Sequence, residues 1–500
     1  MRLTYLLMLA LAGLLAGCAS DFNGDVSPNK PPVTRLTADT IILNGNDRLG
    51  TRLHLRWWGD DEDGLVTGYE FTFDSILGPS TVWQFTTQND SIFLLTIPAG
   101  VDTFNFRIAI RAVDNDGARD PKPATLGYPS RNAPPSVNFT YLPDNGNPLA
   151  GGNPKTSFPV IRYTWEAQDD DGLENIGSFE FCLNDTTVAP LVIPGVQRSM
   201  IIQGNNLNGN TTDCNVFPGS FQIPFQDKLN GMKLNDSNTL YIRVVDLSLA
   251  KSKWVAANTI FVRKPTSQVL LVNAYNNTAS GYAELNNFYR QQLASSGISS
   301  VDTLNLLEKE GGRFVNLAAS NRTQSLIFSM FKSVIWYGQD ADFSLAYGTN
   351  TLTELLNKGG KVLMSTFVSG ATSPKEQAYD FTPIDSLLTP PTGSTFIMVD
   401  TSTCQPLQNG WPQLQYSQFQ PVVRPMKLIG GAQPLYNGRI IRRIGVANFS
   451  AWTGPSCVMA IRANATTGSE IIFSTLELHK LNNQNNIGQF FAKLKDEFGL

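Results

Sequence analysis

Apolar positions along the chain follow two different rhythms. Between about residue 33 and residue 264, short segments alternate apolar and polar with period two, and Gly, Pro, Asn and Asp separate them. His54-Leu55-Arg56-Trp57, residues 69–73 and residues 104–111 read as half-buried strands. After Pro265 the rhythm changes. Residues 268–273, 333–337, 361–367 and 471–475 are continuous apolar runs, the pattern of strands covered on both faces. Between them lie helical segments: 282–295, with Leu285, Phe288, Tyr289 and Leu293 on one face; 351–358, stopped by Gly359-Gly360; and 487–498. Alternating buried strands and helices predict a doubly wound, mostly parallel α/β domain over 265–500. Residues 390–467 break that alternation and read as a β-rich insertion.

The first stretch contains a repeat. Trp57-Trp58-Gly59-Asp60-Asp61-Glu62-Asp63-Gly64 matches Trp165-Glu166-Ala167-Gln168-Asp169-Asp170-Asp171-Gly172, and Glu70-Phe71 matches Glu180-Phe181. Ile110-Arg111-Ala112-Val113-Asp114 likewise matches Ile242-Arg243-Val244-Val245-Asp246. Proline pairs at 31–32 and 134–135 open the two copies, so the modules run over 33–133 and 134–264. A Trp strand, an acidic Gly turn and a following aromatic strand, in units of this length, resemble fibronectin type III and immunoglobulin-like β-sandwiches. That resemblance implies a fold and no activity.

The N-terminus speaks to compartment. Arg2 precedes an apolar run over 3–15, too short to span a bilayer stably, so 1–17 read as a secretory signal peptide. Leu15-Ala16-Gly17-Cys18 resembles the lipobox of bacterial lipoproteins. The resemblance implies cleavage before Cys18, lipidation of that residue, and a tether over 18–32. Acyl chains contribute ~0.8 kcal/mol per buried methylene, enough for stable anchoring when two or three are present. Ala19 after the cysteine implies, by the same resemblance, sorting to the outer membrane, with the protein periplasmic or surface-exposed.

Composition narrows the chemistry. At 500 residues the chain is long enough for roughly three domains. Charged residues make up 16%, the net charge is −4 and no basic stripe is present, which argues against a nucleic-acid partner. His54 and His479 are the two histidines, so His-rich metal sites are excluded. The strand order of the C-terminal domain resembles class I glutamine amidotransferases, which need a Cys nucleophile at a strand-to-helix elbow. No Cys lies between Cys214 and Cys404, and His479, after the late strand, has no thiol to activate. The domain is therefore expected to bind rather than cleave. Ligands in open α/β sheets sit beyond the carboxyl ends of strands, which points to Tyr275, Asn276, Tyr337, Gln339 and Asp340.

Four further cysteines in an exported protein suggest bridges, and pairing sequence neighbours gives Cys182–Cys214 and Cys404–Cys457. Asp61, Asp63, Asp114 and Asp116 are candidate ligands for a structural calcium; the competing reading is plain solvated turns. No other cofactor is expected. The residues point to a lipid-anchored cell-envelope protein, non-enzymatic, with sandwich modules as spacers and a glycan or envelope protein as partner. The alternative is a secreted glycan- or peptide-directed hydrolase whose catalytic unit is the α/β domain, for example through Asp340 and Glu477.

Overall fold

The structure, a computed structural model, describes residues 27–38; 52–140 apart from 75, 96, 99, 100 and 102; 143–144 and 147–148; 154–275 apart from 171 and 220; and 282–500 apart from 311–312 and 317–319. Cys18, the leader and Asn276 lie outside these residues. The chain forms two compact units. One ends at Ala133 and takes in Asp170–Asn175; the other comprises Pro134–Asp169 and Ile176–Leu500.

The first unit is a β-sandwich of two antiparallel sheets. One sheet orders the strands Val33–Ala38, Arg52–Asp60 and Asp90–Leu94; the other orders Gln84–Thr86, Val66–Thr72, Thr103–Asp114 and Ala124–Arg131. Period-two alternation sends Leu53, Leu55 and Trp57 into the core, where they meet Ile108, Ile110 and Tyr128 of the opposite sheet.

The second unit begins with another sandwich. Its five-stranded sheet contains Val160–Gln168 and Ser199–Gly204, and its four-stranded sheet contains Ile176–Leu183 and Leu240–Asp246. Trp165 fills the core as Trp57 does in the first module, with ring centroids 5.5 Å from Phe179 and 5.0 Å from Phe181. The repeat extends to an ion cluster built on a buried glutamate in each module. Arg111 and Arg119 converge on Glu70, and Arg243 and Lys251 converge on Glu180. Arg111 stacks over Trp83 and Arg243 over Trp254. The turn after each of these strands is held by an equivalent bond, Ala118 N–H to Asp114 and Ala250 N–H to Asp246, both 2.8 Å.

Beyond Pro265 a nine-stranded sheet forms. Asp302–Asn305, Val269–Ala274, Ser333–Gly338, Lys361–Thr366 and Glu470–Ser474 run parallel in that order. The sheet continues antiparallel through Cys457–Ala463, Gln433–Gly438, Thr403–Pro406 and Leu414–Gln415. Four of the eight strands in the stretch read as an insertion thus extend the main sheet, while Ser394–Ile397, Ile441–Ile444 and Asn448–Ala451 form a separate small one and Met426–Leu428 pairs with Ile384–Leu387. The four inner parallel strands are largely apolar on both faces because both are covered, whereas Asp302–Asn305 lies at the edge. Val269 and Leu271 face the helices Tyr282–Ser295 and Ile487–Phe498, which supply Tyr289, Leu293, Phe490, Phe491 and Leu494. Leu270 and Val272 face Asn321–Phe328, Ala341–Thr351 and Thr353–Asn357, through Leu326, Ile327, Leu345 and Leu355. Among the described residues, no helix is long and apolar enough to cross a membrane.

The second sandwich is not an independent bead. Phe158, Val160, Ile201 and Phe217 share one core with Leu270, Phe331 and Trp336 of the α/β region. Phe158 packs edge-on against Phe331 with centroids 5.3 Å apart, and the Arg263 guanidinium lies 3.9 Å over its ring. The connecting segment is pinned as well: Asp302 accepts from Thr266 N–H at 2.7 Å and from Ser267 N–H at 2.8 Å.

Candidate functional site

Tyr275 and Tyr337 do come together at the carboxyl ends of adjacent parallel strands, with ring centroids 6.0 Å apart. They are interior residues, only 7% and 1% exposed. Tyr289 stacks on Tyr337 at 4.1 Å, and His479 sits edge-on to both Tyr275 and Tyr289. The Tyr275 hydroxyl donates to Glu477, whose other carboxylate oxygen pairs with Lys480. Burial, reinforced by the Glu477 charge, pushes the Tyr275 hydroxyl far above the ordinary tyrosine value. Burial also drives His479 down to about 4, so its imidazole is neutral at physiological pH. Its Nδ1 lies 3.4 Å from the Tyr289 hydroxyl. The cluster is a packed polar core, and its aromatic rings fill the strand ends.

Asp340 serves the backbone. It is the N-cap of the helix Ala341–Thr351 and accepts from Asp342 N–H at 2.9 Å and Phe343 N–H at 3.2 Å. Gln339, beside it, is half-buried. Asp340 and Glu477 therefore have separate structural jobs, a helix cap and a buried pair. Ser369 closes a turn, accepting from Ala371 N–H and Thr372 N–H. Trp411 is buried against Phe490, and Arg111 covers one face of the half-buried Trp83.

The expected disulfides do not form: Cys182, Cys214, Cys404 and Cys457 are all free and buried. Strand geometry explains both failures. Phe181 and Leu183 point into the sandwich core with Cys214, so Cys182, between them, faces the opposite way, and it belongs to the other sheet. Facing sheets lie ~10 Å apart. Cys404 and Cys457 are separated by the strand Gln433–Gly438, where they pair with Gly438 and Asn437 respectively. Two strand spacings come to ~9.5 Å, beyond the ~7 Å limit between bridged Cα atoms. Burial lifts the thiols of Cys404 and Cys457 to about 12 and keeps them protonated.

The acidic turns of the first module direct several of their carboxylate oxygens to the chain, while Asp61 Oδ2 is buried without a hydrogen-bond partner. Asp61 accepts from Asp63 N–H, Asp63 from Lys30 N–H, and Asp116 from the Asn115 amide. Asp114 accepts from the Asn29 amide at 2.7 Å and from two backbone N–H groups, and the Asn29 bond leads in holding its carboxyl below the usual range. Among the described residues, no three His, Cys, Asp or Glu side chains converge as metal ligands.

The structure also holds a cavity that no sequence motif marks. A polar cavity of about 310 Å³ opens where the second sandwich meets the edge of the parallel sheet. Asn273 and Asn305, paired across neighbouring strands, line it together with Asn286, Asn316, Arg263 and Glu308. Asn273 is 4% exposed; its Oδ1 accepts from Tyr275 N–H at 2.9 Å, while its Nδ2 has no partner. The available signal was an Asn ending an otherwise apolar strand, which also reads as the start of a turn.

No family model matches the chain, and no curated protein matches it in sequence. Among solved structures, it is similar to a two-domain fibronectin type III segment of chicken tenascin, at 14% identity over 47% of this chain and 100% of that one, with a TM-score of 0.19. It is similar to fibronectin(III)-like modules of Clostridium thermocellum CbhA, at 14% identity over 46% and 94%, with a TM-score of 0.17. The PKD1 domain of Vibrio anguillarum Epp matches at 16% identity over 21% and 94%, with a TM-score of 0.14. Scores this low carry no functional weight, and the sandwich description rests on the strand pairings above.

Proposed function

We propose that the protein is a lipid-anchored component of a bacterial cell envelope that binds a ligand and does not turn it over. In this reading Cys18 carries the acyl chains at the outer membrane, and the protein is periplasmic or surface-exposed. The first fibronectin type III-like module is a spacer. The second is part of the binding body, since it shares a core with the α/β region. That region keeps an amidotransferase-like scaffold without the family's chemistry. A glycan or an envelope protein is the partner.

The observation that carries the non-catalytic reading is the cluster of Tyr275, Tyr289, Tyr337 and His479. Glutamine hydrolysis needs a thiolate nucleophile and a histidine free to shuttle its proton. Here His479 is desolvated beside tyrosines, and the buried thiols stay protonated. Purified protein should release no ammonia from glutamine, and His479→Ala should leave ligand binding unchanged. Ammonia release that disappears in that variant contradicts the reading.

A further inference from the structure

The cavity at the junction of the second sandwich and the sheet edge has a lining with a definite chemical bias. Four of its residues are asparagines: Asn273, Asn286, Asn305 and Asn316. A carboxamide both donates and accepts, and so does a sugar hydroxyl, so an amide-rich wall matches a hydroxyl-rich ligand. The lining holds one cation, Arg263, and one anion, Glu308, so the site has no net charge to reward an ionic ligand. Both charges are also engaged within the protein. Arg263 donates to the Thr303 carbonyl at 2.5 Å and lies over the Phe158 ring; Glu308 accepts from the Asn316 amide at 3.3 Å.

What the protein leaves unmet is an amide donor. Asn273 Nδ2 is buried without a partner, and leaving a buried polar group without a hydrogen bond is unfavourable. A ligand hydroxyl or ring oxygen accepting from it removes that cost. The backbone around the site is set: Asn273 C=O accepts from Leu306 N–H at 2.9 Å, and Gln324 holds the Asn316 carbonyl at 2.8 Å. The volume of about 310 Å³ lies at the small end of the ~300–1,000 Å³ range of ligand pockets, which fits one or two sugar rings.

We propose that this cavity binds a neutral, hydroxyl-rich small molecule, a mono- or disaccharide unit, with Asn273 as the central donor. The proposal rests on the binding reading above and gives it a site and a ligand class. The test is calorimetry and saturation-transfer NMR on the whole exported protein. The probes are glucose, N-acetylglucosamine, maltose and myo-inositol, with glycine and glutamate as zwitterionic controls. At least one neutral probe should bind with a Kd below about 10 mM. Asn273→Leu should weaken it tenfold or more, and Asn316→Ala, at a half-buried position, should weaken it severalfold in protein that still folds. If Asn273→Leu fails to fold, Asn286→Ala, on the helix lining the cavity, takes its place with the same expectation. Binding of the zwitterions alone overturns the sugar assignment and leaves the binding reading standing. Binding of no probe by folded protein, or neutral binding indifferent to Asn316→Ala and Asn286→Ala, overturns the site.

Discussion

Phe158→Ala is the perturbation that most directly probes the fusion of the second sandwich to the α/β region. The ring is 1% exposed, so its removal leaves a cavity rather than a solvated gap. Phe-to-Ala changes in cores cost ~3–5 kcal/mol. Within that sum, the edge-on contact with Phe331 accounts for ~0.5–1.5 kcal/mol and the stacked Arg263 for ~0.5–2 kcal/mol. The loss falls at the junction, because Phe158 belongs to the core that Leu270, Phe331 and Trp336 build. A chain of this size does not unfold in one step, so a single melting temperature is a poor readout. Hydrogen exchange followed by mass spectrometry resolves segments. Peptides over Val160–Gln168 and Ser333–Gly338 should open together in the parent protein. In Phe158→Ala the sandwich peptide should lose two to three powers of ten in protection, at ~1.4 kcal/mol per tenfold. A fall of less than tenfold in both peptides refutes the shared core.

Two further outcomes follow from the same geometry. Burial alone would lift the Glu180 carboxyl, but hydrogen bonds from Lys251 and Arg243, together with their charges, outweigh it and hold the group below the usual carboxylate range. A depressed folded-state value means that this stability is present above the unfolded value of ~4.3 and is lost as pH falls through the folded value. Glu180→Gln should therefore destabilise the second sandwich by ~1–2 kcal/mol at neutral pH, because Arg243 and Lys251 lose a charged partner while keeping part of their solvent, and should flatten its acid limb; an acid limb as steep as the parent's contradicts the assignment. Peptide mapping under non-reducing conditions should recover Cys182, Cys214, Cys404 and Cys457 as free thiols that react with an alkylating reagent only after unfolding; a Cys404–Cys457 bridge would contradict the strand order.

Legibility in the sequence followed the range of the determining interaction. The strand Val269–Ala274 and the helices Tyr282–Ser295 and Ile487–Phe498 could be read because burial writes a local period. Trp57 and Trp165 marked the repeat because both occupy the same core position. The helix Ala341–Thr351 is hard to read because Gly348, Thr349, Asn350 and Thr351 dilute its apolar face, leaving the Asp340 cap as its main start signal. The Glu180 cluster depends on strand register across 63 residues, which no local pattern carries. The cysteine pairing failed because proximity in sequence does not specify the facing side of a strand. The asparagine cavity was invisible because it exists only once the sandwich and the sheet edge have docked.

The central claim is an anchored binding protein, and its most direct test is the mass of the mature N-terminal peptide from the membrane fraction. The account predicts a peptide beginning at Cys18, carrying diacylglycerol on sulfur and an acyl group on nitrogen, with Cys18→Ala abolishing both processing and membrane recovery. A mature chain that begins elsewhere with an unmodified Cys18, or a Cys18→Ala protein still processed and held in the membrane, contradicts it.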